Sequence, residues 1–345
     1  MIFIYFYSFL KFSWWLMHVH IELIILPFSV QFLESLKILD LSYSEWLAST
    51  PNFLGLPNLE RLILKGCVSL VEICESIGDL EMLDLLDLED CKTLTKLPRN
   101  IGKLGSLKTL VISGCNINEF PSEMKNMKSL EVLNANGIAI NSLPSSSGEV
   151  KWWPLIVFSM VSTPRKGPET LWASLPFSLN ELNLRGCNLF DDSFPENFSN
   201  LQSLDSLNLG ENPFRRLPNC FRDLQRISSL DVTECHRLQT LDLNCRSKRL
   251  RWVNACHCMS LKKVKCLNSF FVDLVDCYNL VYIEDYLKKE PTGNFDDTEI
   301  SNHLDLNKLM ANEHNHPMVH PFLSQCVRAH THICIYIVMT KKYLN

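Results

Sequence analysis

The residues of this chain best suited to chemistry are its cysteines. There are 14 of them in 345 residues, and a cysteine sulfur can attack electrophiles, ligate metals or pair as a disulfide. Several recur in one local setting. Cys91 and Cys115 each follow leucine or isoleucine by three residues (Leu88, Ile112), leucine by five (Leu86, Leu110) and leucine by eight (Leu83, Leu107). Cys67, Cys187, Cys235 and, more loosely, Cys258 and Cys277 share that setting, and Asn212 fills it once. A zinc knuckle wants paired ligands at C-x₂-C spacing, which this arrangement does not supply. The Cys256–Cys258 stretch, with Cys245 and Cys266 nearby, offers soft ligands, yet Cys258 already belongs to the repeated series. His303, His314, His316 and His320 lie in a stretch without regular pattern and read as a solvated tail. No metal and no cofactor is expected.

Other chemistry is not called for either. The chain lacks G-x-x-x-x-G-K-[ST], G-x-G-x-x-G, G-x-S-x-G and H-E-x-x-H, the spacings that cradle phosphates, raise a nucleophile or hold zinc. Asp84, Asp87, Glu89 and Asp90 lie close together, but at exposed repeat positions, where they read as a solvated acidic face. The chain is therefore not expected to be an enzyme. A formal net charge of −5 gives no general attraction to nucleic acid or anionic membrane. One local asymmetry stands out. From Arg246 to Val272 there are seven bases and no acid, and residues 273–305 are rich in acids. Two readings stay open: charges that balance within one end of the fold, or an electrostatic docking surface for an acidic partner.

The cysteines mark a period. The template L-x-x-L-x-L-x-x-C-x-x-L starts at residues 36, 59, 83, 107, 130, 179, 204, 227 and 250, in steps of 23 to 25 apart from one of 49. That period and spacing define a leucine-rich repeat. The fold class expected is an α/β leucine-rich-repeat solenoid, or horseshoe. Parallel strands form its concave face, and short helices or 3₁₀ turns form its convex face. Within a unit, the alternating leucines of a short strand point inward. The chain then turns at the cysteine and returns through stretches such as Leu97–Leu107, where Pro98 restricts the backbone. One unit cannot bury its apolar face alone, but stacked units can. In such repeats the Cys/Asn position points into the turn, where its polar atom meets backbone of the neighbouring coil. Equivalent residues on adjacent strands are about 4.8 Å apart, so distance alone does not forbid disulfides. A reduced packing ladder of Cys67, Cys91, Cys115, Cys187, Asn212, Cys235, Cys258 and Cys277 explains the whole series, whereas bridging would use the cysteines only in pairs. It also favours a reducing compartment.

Three segments follow. Residues 1–32 are an apolar flank, an anchor, a signal or a gene-model artefact, broken by Lys11 and Glu22 and lacking a basic start; they leave membrane association open. Residues 33–290 form the solenoid, with an irregular insertion at about 145–176 in which Trp152, Leu155 and Val157 offer a degenerate strand. Residues 291–345 are a poorly structured tail.

The pattern of Leu83–Leu110, L-x-x-L-x-L-x-x-C-x-x-L-x-x-L-P-x-x-I-G-x-L-x-x-L-x-x-L, resembles the C-terminal repeats of plant intracellular nucleotide-binding leucine-rich-repeat disease-resistance receptors. It resembles in particular the class with a Toll/interleukin-1-receptor front end. Leu36–Leu83, with its "LDLS", "TPNF" and "LERLILKGC", is similar to the entry of that region. The resemblance implies a cytoplasmic, non-enzymatic recognition module for a pathogen effector or a guarded host protein. It also implies a fragment, a truncated paralogue or a partial gene model, with no nucleotide binding carried over. The alternatives are a membrane-anchored or secreted ectodomain and a general repeat scaffold or adaptor. The recognition surface would be the outward strand residues. In one column these are Ile63, Asp87, Val111, Asn134, Asn183, Asn208, Asp231 and Asn254. In the flanking column they are Arg61, Leu85, Thr109, Glu181, Ser206, Ser229 and Trp252. Trp252 is the first hot-spot candidate, as a large exposed aromatic.

Overall fold

The computed structural model describes residues 15–16, 34–138, 169–243, 247–266, 271–285 and 303–305. Fifteen short strands are numbered in chain order: β1 (Trp15–Leu16), β2 (Ile38–Asp40), β3 (Arg61–Ile63), β4 (Leu85–Asp87), β5 (Thr109–Val111), β6 (Val132–Asn134), β7 (Glu181–Asn183), β8 (Ser206–Asn208), β9 (Ser229–Asp231), β10 (Thr240–Asp242), β11 (Trp252–Asn254), β12 (Lys263–Cys266), β13 (Phe271–Asp273), β14 (Tyr282–Asp285) and β15 (His303–Asp305). Eleven of them form one sheet in the order β1 to β9, then β11, then β13. All ten pairings in it are parallel. Each coil thus contributes one rung, and the chain is a leucine-rich-repeat solenoid.

The register follows from the leucine spacing. The middle residue of each rung points into the interior: Leu62, Leu86, Leu110, Leu133 and Leu230 are fully buried. Their neighbours on either side face out, which is the two-residue alternation of a strand. The next leucine of each unit (Leu64, Leu88, Leu184, Leu209) is also fully buried. On the opposite side the chain returns through 3₁₀ turns at Glu75–Asp79, Arg99–Lys103, Ser122–Asn126, Asp191–Ser193 and Asn219–Asp223. Pro98, Pro121 and Pro218 stand just before three of them with φ near −64°, an angle the proline ring fixes. Ile77, Ile101, Met124 and Phe221 drop from these turns into the same core.

The turn after each rung is where the cysteines sit. The residue before each ladder position is left-handed in every described coil, whether glycine (Gly66, Gly114, Gly137, Gly186) or not (Asp90, Glu211, Glu234, His257, Asp276). That kink aims the following side chain inward. Each ladder thiol then donates to a carbonyl of the preceding coil. Cys67 Sγ reaches Leu41 O at 3.2 Å, Cys91 reaches Leu64 O at 3.2 Å, and Cys115 reaches Leu88 O at 3.0 Å. Cys187 reaches Ala135 O at 3.1 Å, Cys235 reaches Leu209 O at 3.2 Å, Cys258 reaches Val232 O at 3.2 Å, and Cys277 reaches Ala255 O at 3.1 Å. Asn212 occupies the same place with more bonds. Its Nδ2 donates to Leu184 O at 2.8 Å and Leu209 O at 2.9 Å, and its Oδ1 accepts from the Leu189 N–H at 2.9 Å. Burial pushes the thiols of Cys67, Cys187 and Cys235 up to about 12. They stay protonated at neutral pH and so keep the hydrogen they donate. All seven are free thiols.

The convex turns stack tightly. A Cβ on Gly78 would lie 2.6 Å from the Asn100 carbonyl oxygen of the next coil, and one on Gly102 would run into the Glu123 carbonyl. The recurrent "IG" of these turns is therefore a close-approach requirement.

Two features depart from a uniform solenoid. First, β6 pairs directly with β7, Val132 opposite Glu181, which leaves no place in the sheet between them for a further rung. The Trp152/Leu155/Val157 candidate lies outside the described residues. The chain rejoins the coil stack at a short helix, α1 (Glu169–Ala173). Its buried Trp172 donates Nε1–H to Ser193 O at 2.8 Å and stacks on Phe194 with ring centroids 5.6 Å apart. Second, the convex side changes near the C-terminal end. There β10, β12, β14 and β15 form a second sheet, parallel except for β14 with β15. The reason lies in the return stretch. After Cys235 it has no proline, and Leu241 and Leu243 alternate with Asp242, a strand period rather than a turn.

Of the apolar flank, Trp15–Leu16 pairs parallel with Ile38–Leu39, and of the C-terminal tail, His303–Asp305 pairs antiparallel with β14; the rest of both, with Cys245, His314, His316 and His320, lies outside the described residues. Among the described residues no helix is long and apolar enough to cross a membrane.

Two stability outcomes follow. Cys91→Ala removes one weak donor and part of a packed side chain, and should cost about 1–2 kcal/mol. Asn212→Ala leaves the buried Leu189 N–H and Leu184 carbonyl short of partners and should cost about 2–4 kcal/mol. Urea-unfolding midpoints should fall in that order, and a midpoint for Asn212→Ala equal to wild type contradicts the ladder. Gly102→Ala should cost about 1–3 kcal/mol through overpacking. Gly105→Ala, whose Cβ would meet nothing closer than 4.0 Å, should stay within about 0.5 kcal/mol. Differential scanning calorimetry distinguishes the two.

Candidate functional site

The outward residues of the main sheet form two columns set by the pairing register. Ile63, Asp87, Val111, Asn134, Asn183, Asn208, Asp231 and Asn254 align rung to rung, as do Arg61, Leu85, Thr109, Glu181, Ser206, Ser229 and Trp252. All fifteen stand at the register positions expected from the leucine spacing. The flanking column has a further member, Val132, between Thr109 and Glu181. Val132 was readable in the sequence, since it stands one residue before Leu133 as Thr109 does before Leu110.

The first column has a structural role. Asp87 Oδ1 accepts from the Glu89 N–H at 2.9 Å, Asn183 from Arg185 at 3.1 Å, Asn208 from Gly210 at 2.9 Å, Asp231 from Thr233 at 2.8 Å and Asn254 from Cys256 at 3.2 Å. These side chains close an Asx turn two residues on, which starts the kink that aims the ladder inward. Asp and Asn recur there for a structural reason that the two-residue spacing from the turn already carried. Burial pushes the Asp87 carboxyl above its ordinary value, against the bond from Glu89.

Asn134 is the exception. Its Oδ1 is buried and has no hydrogen-bond partner among the described residues. It lines a shallow depression of about 230 Å³ together with Val132, Glu181, Asn183, Ser206 and Asn208. An unmatched buried acceptor beside an exposed carboxylate suits a ligand that brings N–H donors and positive charge. Farther along, Trp252 keeps 46% of its surface exposed, and Arg61 stands 3.9 Å from Asp84 at the other end. On the rim, Arg185 Nη2 bridges Glu211 at 2.6 Å and Glu234 at 3.0 Å. Burial works against its charge, but those two bonds outweigh it and raise the guanidinium's pKa. Three coils are tied together there. Among the described residues no cluster of three or more His, Cys, Asp or Glu side chains is arranged to hold a metal ion.

Residues 21–151 match the family described as leucine-rich repeat region, and residues 177–236 match the family described as leucine rich repeat. The chain is 29% identical over 280 residues to TMV resistance protein N of Nicotiana glutinosa, covering 61% of this chain and 24% of that protein. It is 32% identical over 216 residues to disease resistance-like protein DSC1 of Arabidopsis thaliana, covering 59% of this chain and 17% of that one. Among solved structures, a leucine-rich-repeat protein of Leptospira interrogans is 19% identical with a TM-score of 0.40, over 68% of this chain and 67% of that one. The chain thus spans about a quarter or less of the length of these disease-resistance relatives. Its coils match leucine-rich-repeat families and are similar to the repeat regions of these plant disease-resistance proteins.

Proposed function

We propose that the concave strand face is the recognition surface of a plant immune receptor or of a truncated paralogue of one. It binds a pathogen effector or a guarded host protein in defence signalling, in the cytoplasm and without catalysing a reaction. The observation that carries this reading is the unbroken register of outward side chains in coils that match disease-resistance proteins. A solenoid offers such a surface because each repeat adds a few side chains to one continuous face. Within it, the Asn134–Glu181 depression is the subsite for a lysine, arginine or amide donor of the partner, and Trp252 is an apolar anchor.

The test is capture of the partner by the full chain from pathogen-challenged plant tissue, with each captured protein then titrated singly. Glu181→Arg and Trp252→Ala should each weaken binding by about tenfold or more, the size of a hot-spot loss. Lys103→Glu, on a convex 3₁₀ turn, should leave it unchanged. Binding that survives both concave substitutions, or that is lost with Lys103→Glu, contradicts the proposal.

A further inference from the structure

The second sheet assembles a charge cluster that no single stretch of sequence contains. Thr240 pairs with Lys263 and Asp242 with Lys265, both in parallel register. Leu241 and Val264 between them are buried, so the flanking residues face outward together. An isolated bridge joins Arg216 to Thr240 and brings the preceding return stretch alongside. The result is a groove of about 370 Å³ lined by Arg216, Arg222, Thr240, Asp242, Lys263 and Lys265 among others. Asp242 Oδ2 is held by Arg222 Nη2 at 3.0 Å. Four cations and one acid therefore line the groove, in a chain whose overall charge is −5.

We infer that this groove is a second binding site, distinct from the concave face, for an extended acidic segment of a protein partner. Three observations select that ligand class. Lys263 and Lys265 alternate on one strand face, about 6.6–6.8 Å apart along the strand. Carboxylates two residues apart on an extended peptide repeat at the same distance, so an Asp-x-Asp or Glu-x-Glu segment lying along β12 meets both lysines. The Arg222–Asp242 contact places a carboxylate at 3.0 Å from one of the groove's cations, the geometry a partner's carboxylate would copy at the lysines. The cations are strung along the strand and across neighbouring coils, which does not suit one compact phosphate gripped by convergent donors. The seven-base run of the sequence supplies only Lys263 and Lys265; Arg216 and Arg222 come from the coil before it.

The test is titration of a labelled peptide of alternating aspartate and serine with the full chain, read by fluorescence anisotropy. Wild type should bind at low salt and bind less tightly as ionic strength rises. Lys263→Glu with Lys265→Glu should weaken binding by about tenfold or more, and Lys263→Gln with Lys265→Gln by a smaller factor. The glutamine pair keeps the test decisive should the glutamate pair fail to fold, as checked by thermal unfolding. Lys103→Glu with Lys125→Glu makes the same change in net charge on other convex turns and should leave binding intact. A peptide of the same composition with its aspartates in one block should bind less well. The proposal is overturned by absence of binding, by binding that both Lys263/Lys265 pairs leave intact, or by equal loss in the Lys103/Lys125 control. It is also overturned if inositol hexakisphosphate binds at these lysines while the peptide does not.

Discussion

Stacking coils side by side leaves carbonyls at each turn facing a dry interior, and the ladder of inward thiols answers that constraint. Leu64 O already accepts the Cys67 N–H of its own coil at 3.2 Å, and Cys91 Sγ of the next coil takes the remaining acceptor capacity. A carbonyl has two lone pairs, so one oxygen ties a coil to itself and to its successor. The same construction repeats at Leu88 and Val232; at Leu209 O the donor of its own coil is the Asn212 Nδ2–H, and Cys235 Sγ of the next coil donates beside it. It needs a side chain short enough to fit, apolar enough to be buried and able to donate one hydrogen. Neutral cysteine meets all three requirements, and asparagine meets them with stronger bonds. Ile138 fills the place without a donor, in the last described coil before the excursion.

From this internal constraint the two outer faces acquire different chemistry. On the strand side, the turn that aims the ladder is closed by an Asp or Asn carboxyl or amide, so the concave face gains a polar column for structural reasons. Asn134 is the one Asn or Asp of that column whose side chain closes no such turn among the described residues. On the return side, proline and glycine set 3₁₀ turns close together, until the prolines run out and strands take over. There side chains from successive coils line up two residues apart on a second sheet, and Lys263 and Lys265 come to stand beside Thr240 and Asp242.

Much of this was legible in the residues. The positions of Leu62, Leu86 and Leu110, the outward columns and the buried cysteines follow from a period that several copies repeat. The acceptors of the thiols were not legible, because they lie 22 to 52 residues away on another coil. The Asx role of Asp87 and Asn208 was present as a spacing of two from the turn, but was masked by their equal fitness for binding. The second sheet was written in the alternation around Leu241 and the loss of proline after Cys235. A scan tuned to the repeat passes over it, since those leucines also fit the 23-residue period. The clustering of Arg216 with Lys265 depends on two return stretches lying side by side, which only the fold provides.

The most direct test of the central claim is the S–H stretching band in the Raman spectrum of the folded chain, followed after transfer to deuterated water. Thiols that donate to carbonyls inside a dry interior should give a band at lower frequency than free cysteine, and the ladder's share of it should persist unexchanged until the protein unfolds. A band at the free-thiol position, or one lost as fast as solvent exchange allows, would contradict the account, because the inward thiols would then not be donating to the carbonyls of the preceding coil.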